Sequence, residues 1–183
     1  EEVEVALALI KPEGFEEERD EGGNVIYAAE IIYRKDKEHL LLSWQQMKNQ
    51  NHRDFGFHYD PYNFDSKPEQ DFFRQMLREV NLAPEEVEDI YFVGGLIDPK
   101  KTDFYVEYRG TDGKWHRYSP DFVVRRKDGR CYIVEIKSEH QREHPVDGEH
   151  GRKAMAVQRW KNLNPDSLEY TMIFTDAETV GVN

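Results

Sequence analysis

The chain has 183 residues, 38% of them hydrophobic and 13% aromatic, which is enough apolar material to bury a core and argues for a folded protein rather than a disordered one. It has no run of 18 apolar residues and no basic leader followed by an apolar stretch, so neither a transmembrane helix nor a secretory signal is expected. A single cysteine, Cys131, excludes an internal disulfide and suits a reducing, cytoplasmic setting, while a net charge of -12 argues against a uniformly nucleic-acid-binding surface.

In chain order, Val3 to Ile10 is apolar enough for a strand, Pro12 to Gly23 reads as an acidic loop, and Val25 to Tyr33 resumes as a strand able to pair with the first. Arg34 to Asn51 is expected to be a polar helix around Leu40, Leu41, Trp44 and Met47. Asn49 to Ser66 is aromatic and rich in turn residues. Ser66 to Val80 is a marked helix. Ser66 and Glu69 have capping-box spacing, Pro68 suits the first turn, and Phe72, Phe73, Met76, Leu77 and Val80 form one stripe. Glu69 lies on that stripe, either as part of the cap or as an acid aimed from the buried face.

Short strands follow at Asp89 to Val93, ended by Gly94-Gly95, and at Asp103 to Tyr108. Trp115 to Val124 and Cys131 to Lys137 then flank Lys127-Asp128-Gly129, an Asp-Gly turn that signals a hairpin. Gly151 to Leu163 is expected to be a helix with Ala156, Val157, Trp160 and Leu163 on one face. Tyr170 to Thr175 is a last strand. From Ser66 the order is helix, strands, helix, strand, an α/β arrangement around a central mixed sheet. Residues 1–65 stand as an N-terminal extension and 66–183 as the core. The chain opens on Glu1 rather than Met, so a piece of a larger protein is expected.

The hairpin carries the chemistry. Asp121 falls near the start of its first strand, and Glu135 and Lys137 near the end of the second, so the three meet at one end of the sheet. Charges that end a run as apolar as Tyr132-Ile133-Val134 must be paired, metal-bound or at the rim. Hard cations such as Mg²⁺ favour carboxylate oxygens, and a bound metal with a lysine beside it serves phosphodiester hydrolysis. The acid-x-Lys triplet alone is weak evidence, since Asp65-x-Lys67, Asp98-x-Lys100 and Asp112-x-Lys114 share it. Only Glu135-Ile136-Lys137 ends an apolar strand and follows a Pro-Asp pair across one hairpin.

Residues 114–137 hold seven Lys/Arg against three acids, whereas residues 1–40 hold five against twelve. Arg125, Arg126 and Lys127 at the hairpin turn are therefore the candidates for DNA backbone contact. Other motifs dissolve on inspection. His52-Arg53-Asp54-Phe55-Gly56 spells two kinase signatures, but they share one aspartate where a kinase needs two. His140 and His144, with His150 nearby, have a zinc-pair spacing but sit in a polar loop. Cys131, Trp44 and Trp160 are expected to pack.

Pro120-Asp121 followed by Glu135-x-Lys137 resembles the PD-(D/E)xK nuclease superfamily, and the predicted element order from Ser66 to Thr175, about two-thirds of the chain, is similar to its core. The resemblance implies a restriction-endonuclease-like fold (αβββαβ) and Mg²⁺-dependent DNA hydrolysis, with Mn²⁺ as a substitute. It implies that Glu69, Asp121, Glu135 and the Ile136 carbonyl hold the metal, and that Lys137 is the catalytic lysine. Within the superfamily, Phe57-His58-Tyr59-Asp60-Pro61, Asp65-Ser66 and Tyr118-x-Pro-Asp-Phe-Val-Val are similar to the C-terminal nuclease domain of type III restriction subunits. That implies an upstream helicase or translocase, a methyltransferase subunit, and a dimer for double-strand cleavage. No GxxxxGK[ST] loop occurs here. Related nucleases carry a Lys or Gln on the second helix near the phosphate, which Lys153 or Gln158 would supply. The alternatives are a binding module on the same fold that has lost its chemistry, and a stand-alone repair or homing-type nuclease.

Overall fold

The computed structural model describes residues 2–8, 14–94, 105–142 and 148–175. The expected positions Ile10, Pro12, Gly95, Asp98-x-Lys100, Asp103 and His144 lie outside the described residues. Among the described residues no helix is long and apolar enough to cross a membrane.

The chain begins with a three-stranded antiparallel sheet of β1 (Glu2–Ala8), β2 (Glu16–Arg19) and β3 (Val25–Tyr33), in the order β1-β3-β2. The β1–β3 pairing follows from their apolar runs. β2 occupies part of the expected acidic loop: it is an exposed edge strand of Glu16, Glu17, Glu18 and Arg19, with no apolar alternation to betray it.

The expected helix over Arg34 to Asn51 does not form. In its place come a 3-10 helix (Lys35–Leu40), β4 (Leu41–Leu42) and a single turn α1 (Trp44–Met47) capped by Ser43 and Gln46. Leu41 and Leu42 pair with Asn63 and Tyr62 of β5 (Tyr62–Asn63), so tertiary pairing overrides the helical spacing. Trp44 is 38% exposed and is no core residue.

α2 (Lys67–Leu82) starts where its cap predicts. Ser66 accepts from the Glu69 N–H, and Phe72, Phe73, Leu77 and Val80 are buried. They pack on Ile90, Phe92, Phe122, Val124, Val134 and Ile136 of the central sheet. The same core takes in Phe15, Ile31, Leu42, Met47, Tyr59, Tyr62 and Phe64, so packing is continuous across residue 65.

The central sheet is mixed and four-stranded, in the order β11-β10-β9-β6. β6 (Val87–Phe92), β9 (Phe122–Arg126) and β10 (Cys131–Ser138) are antiparallel neighbours, and β11 (Leu168–Thr175) lies parallel to β10 after α3 (Glu149–Leu163). The expected single strand from Trp115 to Val124 is broken. β8 (Trp115–Tyr118) pairs with β7 (Val106–Arg109) as a separate two-stranded ribbon, and β9 begins only at Phe122. Pro120, which has no N–H to give a ladder, stands at the break.

Alternation along β10 divides the layers. Val134 and Ile136 face α2, while Ile133 faces a second core of Val106, Tyr108, Tyr118 and Val157 beneath α3 and the ribbon. α3 buries less than its sequence stripe implies: Val157 is buried, but Trp160 is 38% and Leu163 79% exposed.

Candidate active site at the end of the central hairpin

Asp121 replaces backbone with side chain. The β9–β10 ladder runs from Cys131–Arg125 to Val134–Phe122 and stops where Pro120 turns the chain away. The next inward N–H, that of Ile136, donates instead to Asp121 Oδ2 at 2.6 Å. The Asp121 carbonyl accepts from Val93 N (2.8 Å) and Gly94 N (3.2 Å), which fixes the residue against β6. Gly94 is small for a steric reason: a Cβ there would sit 2.9 Å from Asp121 Oδ1 and 3.1 Å from its Cα.

Glu135 is 2% exposed. Its Oε2 accepts from the Tyr118 hydroxyl at 2.6 Å, and its Oε1 pairs with Lys137 Nζ. The two residues sit two apart on the strand and so share a face. Burial and the Glu135 charge push the Tyr118 hydroxyl's pKa up, so it stays a donor. Desolvation opposes the charge on Lys137, but Glu135, Asp121 and Glu69 outweigh it, and the lysine is held protonated more firmly than an ordinary one.

Glu69 reaches the same place from α2. Its Oε1 accepts from Ser66 Oγ at 2.6 Å and its Oε2 from Asp65 N at 3.1 Å, so it braces the Ser66 cap of its helix. It also lines a cavity of about 270 Å³ with Asp65, Ser66, Ile136, Lys137 and Gln141. The residue that braces the cap and the site residue are one and the same. Burial raises the Glu69 carboxyl above the usual range, and the neighbouring Asp65 charge adds to this. Asp121 is raised further, by burial first and then by the charges of Glu135 and Glu69. Such crowding of carboxylates is relieved by a proton or a cation.

The structure therefore brings Asp121, Glu135, Ile136, Lys137 and Glu69 to one end of the sheet. Lys153 of α3 is a step behind them, its Nζ 5.2 Å from the ring centre of Tyr118, whose hydroxyl holds Glu135. Gln158 is not brought in: it is exposed and donates to Asn162 at 3.0 Å on its own helix. Arg125, Arg126 and Lys127 lie at the other end of the hairpin, about 13 Å from Glu135 by strand rise. There Arg125 pairs with Glu88 (3.0 Å), and Arg126 with Glu86 (3.5 Å) and Asp128 (3.4 Å).

Two site residues escaped sequence reasoning. Tyr118 stands in the Tyr-x-Pro-Asp motif without a signal of its role, except that a buried tyrosine hydroxyl generally needs a partner. Asp65 read as a turn acid, yet it is half-buried on the cavity wall, where burial raises its carboxyl and Lys137 draws it back.

The donors suit a hard cation, being carboxylates and one carbonyl. Among the described residues, however, no three His, Cys, Asp or Glu side chains converge closely enough to hold a metal ion. Comparisons with protein-family profiles, curated proteins and solved structures found no match.

Proposed function

We propose that this chain is a metal-dependent nuclease domain that hydrolyses DNA phosphodiester bonds. The observation that carries the reading is the meeting of Glu69, Ile136 and Lys137 around one cavity, with Asp121 bonded to the Ile136 N–H beside them. The element sequence α2-β6-β9-β10-α3-β11, with the β7–β8 ribbon inserted, supports a restriction-endonuclease-like core. The resemblance to type III restriction subunits supports a restriction role alongside a translocase and a methyltransferase subunit.

A bound Mg²⁺ or Mn²⁺ would supply a Lewis acid that lowers the pKa of water and offsets phosphate charge. Asp121, Glu135, Glu69 and the Ile136 carbonyl are the groups that would hold it, and the three carboxylates would have to draw closer together to do so. The chain's own contribution is electrostatic. Lys137 stays charged, so it acts as a fixed cation for the phosphate rather than as a proton acceptor. Tyr118 orients Glu135, and the Ile136 N–H orients Asp121.

The test is plasmid cleavage with and without Mg²⁺. Asp121→Asn keeps the acceptor for Ile136 and should fold, yet lose detectable cleavage. Wild-type cutting by that variant sinks the assignment.

One observation favours a second reading, a binding module without chemistry. The three carboxylates proposed to hold the metal are already engaged: Glu69 by Ser66 and Asp65 N, Asp121 by Ile136, and Glu135 by Tyr118 and Lys137. Calorimetric titration separates the two. Mg²⁺ or Mn²⁺ binding that Asp121→Asn removes supports the nuclease. No heat at millimolar metal, with no cleavage, supports the module.

A further inference from the structure

We infer that the β7–β8 ribbon, rather than the β9–β10 turn, is where this protein meets a nucleic-acid strand. The inference rests on the nuclease reading for the presence of nucleic acid at all.

The ribbon has two faces set by its register. Val106, Tyr108, His116 and Tyr118 point inward, and Val106, Tyr108 and Tyr118 are buried. Glu107, Arg109, Trp115 and Arg117 point outward and are exposed, with Arg109 directly opposite Trp115 and Glu107 opposite Arg117. Trp115 is 70% exposed, an unusual position for the largest side chain in a protein with an apolar core to fill.

Its display is held in place. The inner face is fastened to α3, where Tyr108 donates to Glu149, and Arg152 donates to the Arg109 carbonyl at 3.4 Å. The tip is stapled by Asp112, which contacts the His116 ring at 2.9 Å and accepts from Lys114 N at 3.0 Å. Arg109 Nε donates to the Gly113 carbonyl at 3.0 Å. Gly110 lets this staple close, since a Cβ there would meet the His116 ring at 2.7 Å. The guanidinium of Arg117 lies over the Tyr105 ring at 4.2 Å.

The outward surface thus presents one aromatic ring among Arg109, Lys114 and Arg117 on a chain whose net charge is -12. Among the described residues of the ribbon, its acids are Glu107 and the already engaged Asp112. An aromatic face set among cations is the combination that binds a strand, the ring stacking on a base and the cations meeting phosphates. The β9–β10 turn differs, because residues 125–130 carry cations but no aromatic ring to stack on a base. Position agrees as well. The ribbon is rooted at Tyr118, which holds Glu135, and Trp115 lies three residues away, about 10 Å by strand rise. That is roughly three nucleotide steps of a B-form strand.

The experiment measures binding of a fluorescent oligothymidylate and of a blunt duplex to the full chain, in EDTA and in Ca²⁺, by anisotropy across a salt series. Trp115→Ala should weaken oligothymidylate binding about tenfold. The Arg109→Ala/Arg117→Ala pair should weaken both probes and reduce the salt slope by roughly two. Thermal melts check that each variant folds. The ribbon inference is overturned if these variants bind within twofold of the parent, and more so if Arg125→Ala/Arg126→Ala/Lys127→Ala is the set that loses binding. It is also overturned if the ribbon variants alter only self-association, which would make Trp115 part of a protein interface. If the parent cuts plasmid DNA while ribbon variants bind normally, the ribbon fails and the nuclease stands. If the parent neither binds nor cuts, both fail.

Discussion

The two ends of the β9–β10 hairpin are a controlled comparison. Both carry charges of both signs, and about 13 Å of strand separates them. At the turn, Arg125, Arg126 and Arg130 face Glu86, Glu88 and Asp128 in solvent, at 3.0 to 4.0 Å. At the other end, Glu135, Lys137 and Asp121 are turned inward: Lys137 pairs with Glu135, and burial and the carboxylates beside them raise both Asp121 and Lys137 above their ordinary values. Placement on one hairpin is shared; removal from water is not. Where water is absent, a carboxylate must find a hydroxyl, an N–H, a lysine or a metal, and chemistry becomes available. At the turn, water does that work and the ions are replaceable.

The sharpest way to break this contrast is Lys137→Ala. It leaves Glu135 buried with only part of its compensation, so unfolding free energy should fall by about 3–5 kcal/mol, read by urea denaturation. On the nuclease reading, cleavage should also fall by about 10²–10³-fold under conditions where the variant is folded. A loss below about 1 kcal/mol would show that Glu135 is not held by its lysine.

Asp121→Asn should move stability the other way. The folded Asp121 carboxyl is raised above its unfolded value, so its stabilising contribution is full below about pH 4 and is lost as pH rises through the folded value. The parent, in EDTA, should therefore lose stability from this group between acid and neutral pH, and the variant should not. Glu69 is raised as well and contributes the same sign in both proteins. The variant should melt higher than the parent at pH 8 and alike at pH 4 and, on the nuclease reading, cut nothing. A lower melting temperature at pH 8 would mean that Asp121 is ionised and stabilising.

Tyr118→Phe is a smaller cut at the same end. It removes one hydrogen bond to a buried carboxylate and leaves Lys137 in place, so about 1.5–3 kcal/mol should be lost. Urea denaturation of the variant against the parent reads this loss, and a difference below about 0.5 kcal/mol would show that the hydroxyl does not hold Glu135.

Much of this end was legible in the sequence. A Pro-Asp before an apolar strand, an acid-x-Lys ending the next, and a Ser66 cap with Glu69 on the apolar face all reduce to local spacing, and the structure brings them together. What was not legible needed tertiary knowledge or was misread. Glu16 to Arg19 forms a strand without apolar alternation, and Leu41–Leu42 leaves its helical pattern to pair with Tyr62–Asn63. The break between β8 and β9 had a signal in Pro120, which a continuous strand from Trp115 to Val124 could not accommodate. Gln158 lies five residues beyond Lys153, about 140° round the helix, so both could not face one site. The basic turn drew attention because sequence counts charges and cannot see the acids of β6 waiting opposite them.

That last point gives the smallest prediction. Arg125 is 53% and Glu88 45% exposed at the side chain, so their 3.0 Å pair is screened by water and salt. Arg125→Ala should change unfolding free energy by less than about 1 kcal/mol, and by less still in high salt. On the nuclease reading it should also leave cleavage near the parent's rate, since Glu88 already competes with any phosphate for the guanidinium. A double-mutant cycle with Glu88→Ala isolates the pair. A coupling as large as that between Lys137 and Glu135 would erase the difference between the two ends, and with it the argument that burial, not charge count, selects the site.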